Sequence, residues 1–124
     1  MAKVTKLDAL NSILASLSAS SGDIEACAVV SGDGLMMASN FPAGLDEDRM
    51  GAMAAALLAM GERTSRELNR GELDQVFVKG KNGLVVMMNA GADGVLISLC
   101  SRNAKLGLIF LDMQRAAQEV AKVI

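Results

Sequence analysis

Apolar and polar residues alternate along this chain with two different periods, and the switches between them lay out eight elements. Val4, Leu7, Leu10, Ile13, Leu14 and Leu17 recur every three or four residues, which predicts an amphipathic helix over roughly the first 17 residues. The serine-rich stretch 18–22 ends it. Residues 24–31 (IEACAVVS) read as a strand with small and β-branched side chains on both faces. Gly32, Asp33 and Gly34 then form a tight turn, Asp-Gly being a strong hairpin signal. Residues 35–40 return as a second strand, and Phe41-Pro42-Ala43-Gly44 is a loop.

A long helix follows over residues 46–70. Asp46 is its expected N-cap, and Asp46, Glu47 and Asp48 place negative charge at the positive end of the helix dipole. Arg63, Arg66 and Arg70 complement the other end, Gly71 is a fitting stop, and Glu62 and Arg66 are spaced for an i, i+4 pair. Between these ends the twelve residues 50–61 (MGAMAAALLAMG) carry neither charge nor a hydrogen-bonding side chain. With Ala54 as reference, Met50, Leu57, Leu58 and Gly61 fall within about 60° of it and form one core-facing stripe. Met53, Ala56 and Met60 lie a quarter-turn or more away, while Ala52, Ala55 and Ala59 keep the far side small. A helix apolar all round is buried all round, so a second copy of the chain or another protein is the expected cover.

Three strands come next in quick succession, at residues 73–79, 84–89 and 95–100, joined by the turns 80–83 and 91–94. Connections this short join antiparallel neighbours. Residues 84–88 and 95–97 are apolar on both faces, as in a strand covered above and below. Asp74, Gln75 and Lys79 make the first of the three more polar and place it near an edge. Leu106, Ile109, Phe110, Met113, Ala117, Val120 and Ile124 mark a final helix, with Asn103 or Ser101 as its cap. The sum is a three-layer α/β domain over residues 1–124. It has a five-stranded antiparallel sheet, helices on both faces and the order α-β-β-α-β-β-β-α.

Composition sharpens this reading. The chain is 52% hydrophobic but only 2% aromatic, so its nine methionines and many alanines do the packing. A net charge of −2 argues against nucleic acid as a main partner, because phosphate binding needs a clustered positive field. Cys27 and Cys100 sit in apolar strand runs, where a buried free thiol is the ordinary reading, beside a disulfide, redox or metal role. The charged start shows no signal peptide, and no uncharged run approaches the length of a membrane span; the expected location is the cytoplasm, without membrane insertion.

Motifs for catalysis are missing. A phosphate-cradling loop needs a glycine where Gln75 stands and Ser or Thr where Asn82 stands, so Gly80-Lys81 reads as a hairpin tip. A dinucleotide loop needs a glycine at Met37. Without histidine there is no Ser-His or Cys-His pair, and two isolated cysteines do not make a metal site. Asp46, Glu47 and Asp48 are better explained by the helix start than by a cation. No cofactor, metal or catalytic residue is therefore expected. Arg49 and Arg63, by contrast, flank Met53, Ala56 and Met60, and an apolar patch edged by arginine suits a protein interface.

Three stretches together resemble the Roadblock, or dynein light-chain, family, which includes the bacterial MglB-type regulators. They are LNSILASLSASSGDIEACAVVSGDGLMMAS, LDEDRMGAMAAALLAMGERTSREL and VLISLCSRNAKLGLIFLDMQRAAQEV. The resemblance implies a homodimer in which the long middle helices pack side by side and an edge strand pairs across the two-fold. Arg49, Ala52, Met53, Ala56, Ala59, Met60 and Arg63 on the helix, with Val76 and Val78 on the strand, would then form the interface. It also implies a non-catalytic regulator or adaptor that binds a small Ras-like GTPase and modulates its nucleotide cycle. A scaffold without a GTPase, a small-molecule sensor and a heterodimer with a second Roadblock protein remain alternatives.

Overall fold

Among the described residues, regular structure begins after Thr5. In the computed structural model, which describes residues 4–124, the Thr5 hydroxyl accepts the Asp8 N–H at 3.0 Å, and the Asp8 carboxylate accepts the Thr5 N–H. This reciprocal cap satisfies two otherwise orphaned donors and opens α1, Lys6–Ser20. Val4 precedes the helix and, like Leu7, is exposed, so α1 is seated by Leu10, Leu14 and Leu17 instead.

Two strands form the first hairpin, β1 (Ile24–Ser31) and β2 (Met36–Asn40), with a register break between Val29 and Val30. After α2 (Glu47–Glu67) come β3 (Val76–Gly80), β4 (Gly83–Asn89) and β5 (Gly94–Cys100), and then α3 (Leu106–Val123). β5 pairs with β1, from Ile24 opposite Cys100 to Ser31 opposite Gly94, which merges hairpin and meander into one sheet. The strand order is β2-β1-β5-β4-β3, every pair antiparallel, with β2 and β3 at the edges. The predicted antiparallel three-layer architecture and element order are therefore those observed.

Strand alternation sends each face to a different layer. Cys27, Val29, Val86, Met88, Leu96 and Cys100 pack under α1 and α3, while Val30, Met87, Val95 and Ile97 pack under α2. The two layers differ in depth. Among the described residues, eighteen buried side chains form the α1/α3 core and six form the α2 core, so α2 is the thinner cover. One polar atom in the interior, Ser98 Oγ, is buried without a hydrogen-bond partner among the described residues.

Gly34 and Gly51 let the first hairpin and α2 meet backbone to backbone. Gly34 has φ +89°, and a Cβ on Gly51 would lie 2.5 Å from the Gly34 carbonyl oxygen. Only glycine meets both demands, one conformational and one steric.

Several details depart from the sequence pattern. Asp46 does cap α2, its Oδ1 accepting the Arg49 N–H at 3.1 Å, but the helix stops earlier than expected. Leu68 is the C-cap and Asn69 takes the left-handed conformation (φ 57°), so Gly71 lies beyond the stop. β3 starts at Val76 rather than residue 73, because the Leu73 side chain packs against Gly61 of α2 instead of extending the strand. Lys105, not Asn103 or Ser101, occupies the N-cap of α3, with no side-chain hydrogen bond. The Ser101 hydroxyl is spent on Asp23 Oδ1 (3.0 Å), where it ties β5 to the start of β1.

Candidate protein-docking surface

The inner side of α2 is narrow. Gly51, Ala54 and Leu58 are its buried residues, and Met50 and Gly61 are half-buried beside them. Helical periodicity places Leu57 in this stripe, yet it is 43% exposed. It lies toward the β3 edge, where the sheet ends and no neighbouring element covers it. Nothing in the helical periodicity distinguishes it from Leu58, because the distinguishing fact is the position of the sheet edge.

On that flank an apolar strip runs from helix to strand. Met53 is 52% exposed, Met60 60% and Val78 45%. Met50, Met53, Leu57, Val78, Val85 and Met87 line a groove of about 190 Å³ between α2 and the β3/β4 side of the sheet. Ala56 joins Met53, Leu57 and Met60 in a shallower hollow along the helix. Val78 reaches this strip because strand alternation turns it, with Val76, toward α2, opposite Val85 and Met87 respectively. Met50, Leu57 and Val85 are members that the sequence reading missed.

The nine sequence-derived residues thus divide. Met53, Ala56, Met60 and Val78 come together on the β3 flank. Val76 is half-buried, with its Cγ2 against Gly61, and belongs partly to the core. Ala52 and Ala59 are exposed on the opposite flank, Ala52 beside Gly34 and Ala59 beside Gly32 and Ala92. Arg49 and Arg63 are exposed. Arg63 Nε bonds Glu67 Oε1 at 2.9 Å, while Glu62 accepts from Asn89 Nδ2 at 2.7 Å. The expected Glu62–Arg66 pair is accordingly replaced by its neighbour one residue along.

Nucleophilic chemistry finds little foothold. Both cysteines are free and buried. Cys27 Sγ donates to the Leu14 carbonyl at 3.4 Å and lies 3.3 Å from Ser18 Oγ. Burial pushes its thiol up, against the opposing effect of the Ser18 contact. Burial, with the Glu25 and Asp23 carboxylates in support, pushes Cys100 from 9.0 to about 11. Thiols held protonated in this way are poor nucleophiles and poor metal ligands. Among the described residues no group of three or more Cys, Asp or Glu side chains is arranged to hold a metal ion.

The chain is an antiparallel three-layer domain with an apolar strip across one helix and one sheet edge. The Roadblock/LC7 domain profile matches residues 10–99, and the chain belongs to that family. The uncharacterized protein MJ1340 of Methanocaldococcus jannaschii is 39% identical over 97 residues, covering 78% of this chain and 84% of that protein. The gliding protein MglB of Thermus thermophilus superposes with a TM-score of 0.85 at 16% identity, over 99% of this chain and 93% of the other. MglB of Myxococcus xanthus gives a TM-score of 0.85 at 18% identity, over 99% and 92%. At such identity these two likenesses speak for the fold. No helix among the described residues is long and apolar enough to cross a membrane.

Proposed function

We propose that this protein is a homodimeric, non-catalytic regulator or adaptor that binds a small Ras-like GTPase and modulates its nucleotide cycle. One observation carries the pairing: four large apolar side chains, Met53, Leu57, Met60 and Val78, stand 43–60% exposed in one strip across α2 and the open edge β3. A two-fold axis normal to the sheet would pair β3 with its symmetry mate and keep both α2 helices on one face, running antiparallel. That arrangement covers the strip and satisfies the edge strand's free backbone groups. It also sets the acids at the start of each α2 (Glu47, Asp48) against the arginines at the end of its mate (Arg63, Arg66). The exposed alanines Ala52 and Ala59 remain outside such a pair, on a smooth, small-residue surface that a third molecule can approach closely.

The GTPase assignment rests on Roadblock membership and on the MglB-like fold. Regulation without catalytic residues is physically sufficient here, since phosphoryl transfer depends mainly on positioning groups the GTPase already owns.

Two measurements test the reading. Sedimentation equilibrium at micromolar concentration should give the dimer mass. Tagged protein incubated in native lysate with GDP or a non-hydrolysable GTP analogue should retain one small GTP-binding protein, identified by mass spectrometry, with one nucleotide and not the other. A monomer would sink the pairing. Capture indifferent to nucleotide would leave a scaffold, a second Roadblock chain would mean a heterodimer, and a retained metabolite would favour a sensor.

A further inference from the structure

Four of the twelve cations gather at one end of the sheet. Lys79 ends β3, Lys81 lies on the β3–β4 turn, and Arg102 and Lys105 lie on the connection from β5 to α3. The fold brings these segments together. Leu84 pairs with Lys79 on one side and with Cys100 on the other, and Arg102 Nη1 donates to the Lys81 carbonyl at 2.6 Å. All four side chains are exposed.

The segregation is sharp for a chain of net negative charge. Residues 75–111 hold four cations and one acid, net +3, while the rest of the chain holds eight cations and thirteen acids, net −5. The one acid in that stretch, Asp93, sits on the β4–β5 turn at the far end of the strands. At the border, Asp23 accepts the Ser101 hydroxyl, the exposed Glu25 follows Ile24, which pairs with Cys100, and Asp112 accepts from Ser20. Among the described residues the only ion pair within 4.0 Å is Arg63–Glu67, so none of the four cations has an acidic partner at that distance. The exposed face of α2 mixes signs, as Glu62, Arg63, Arg66 and Glu67 do. Like charges repel over a screening length of about 8 to 10 Å at ordinary salt.

The cations border an apolar spot. Phe77 shares a strand face with Lys79 and packs against Phe110, ring centres 6.2 Å apart, yet remains 48% exposed. Leu111, next on α3, is 44% exposed.

We propose that this end of the sheet binds a short acidic segment of a partner protein, its carboxylates on Lys79, Lys81, Arg102 and Lys105 and an apolar side chain against Phe77. Charge complementarity selects the class. A nucleic acid or an anionic membrane extends far beyond four cations and meets the net-negative remainder of the molecule, whereas a short acidic segment does not. β3 takes part in both surfaces, Val78 on the α2 side and Phe77 with Lys79 on the opposite face, so the site shares a strand with the proposed pairing but requires neither that pairing nor a GTPase.

The test uses fluorescence anisotropy at low salt with a labelled synthetic peptide of Asp and Glu carrying a central Leu-Phe, and its Asn/Gln counterpart. The variant Lys81→Glu/Lys105→Glu should lose at least about tenfold in affinity, since charges facing a partner act locally. The control Lys6→Glu/Lys122→Glu changes net charge equally and should bind as the parent does. The milder Lys79→Gln/Lys105→Gln should fall between, and circular dichroism should show every variant folded. Equal loss in the control overturns the proposal, as does the absence of saturable binding or equal affinity for the uncharged peptide. So does tighter binding to single-stranded DNA or phosphatidylserine vesicles than to the acidic peptide.

Discussion

Gly34 and Gly51 show how much can hang on an absent methyl group. A Cβ at position 51 would meet backbone rather than a flexible side chain, so neither partner can move without shifting the hairpin or α2. Gly51→Ala should therefore destabilise the fold by about 1–3 kcal/mol in urea denaturation despite the better helix propensity of alanine. Gly107, in the first turn of α3, has open space around its would-be Cβ. Gly107→Ala should stabilise by about 0.5 kcal/mol, and the opposite signs of the pair are the check. Cys100 makes a further prediction through its raised pKa. A thiol that stays protonated longer when folded stabilises the native state below the unfolded value, and that contribution is lost as pH climbs through the folded one. Stability should fall between pH 9 and 11. In thermal melts across that window Cys100→Ala should fall less steeply than the parent; parallel curves would refute the assignment.

The helix α2 serves two clients with different faces, its own sheet and the space beyond the β3 edge. Met53→Asp tests the second. Because Met53 is half-exposed in the single chain, the variant should fold with unchanged helix content. In the proposed pair the carboxylate would be buried unpaired, which costs about 3 kcal/mol or more and weakens the dimer roughly a hundredfold or more. Sedimentation that still reports a dimer at micromolar concentration would refute this packing.

These elements also show where sequence is a sufficient guide. The start of α2 was legible because Asp46 acts on residues three positions away, and the strands because alternation and turn chemistry are local signals. The shortened β3 and the cap of α3 were not. Leu73 is drawn to Gly61, and the Ser101 hydroxyl to an aspartate 78 residues earlier. The same distinction governs the candidate surface. Met53, Ala56 and Met60 announce themselves by an apolar helix with no polar side, but Leu57 and Val85 join them only once the sheet has an edge.

Taken whole, the molecule is lopsided. Between α1/α3 and the sheet lies a deep layer of leucine, valine and methionine; between α2 and the sheet lies a shallow one of six buried residues, two of them on α2 itself, flanked by a groove open to solvent. The basic end of the sheet draws its four cations from β3, the β3–β4 turn and the β5–α3 connection, without a residue of α2. The two surfaces meet only on β3, through its opposite faces, so substitutions in α2 or in the β3–β4 turn and β5–α3 connection alter one at a time.

The shallow layer has a consequence in the language of mass action. If the strip beside it is closed by an identical chain, part of what keeps α2 folded is supplied from outside the protomer, and unfolding and dissociation become one equilibrium. Each tenfold dilution then removes about 1.4 kcal/mol per dimer, enough to lower the melting temperature by about 3 °C. Melting curves spanning two decades of concentration should slide accordingly, whereas a self-sufficient protomer would melt at one temperature throughout. In the cell, the amount of this protein present would then help set how long each copy of it survives.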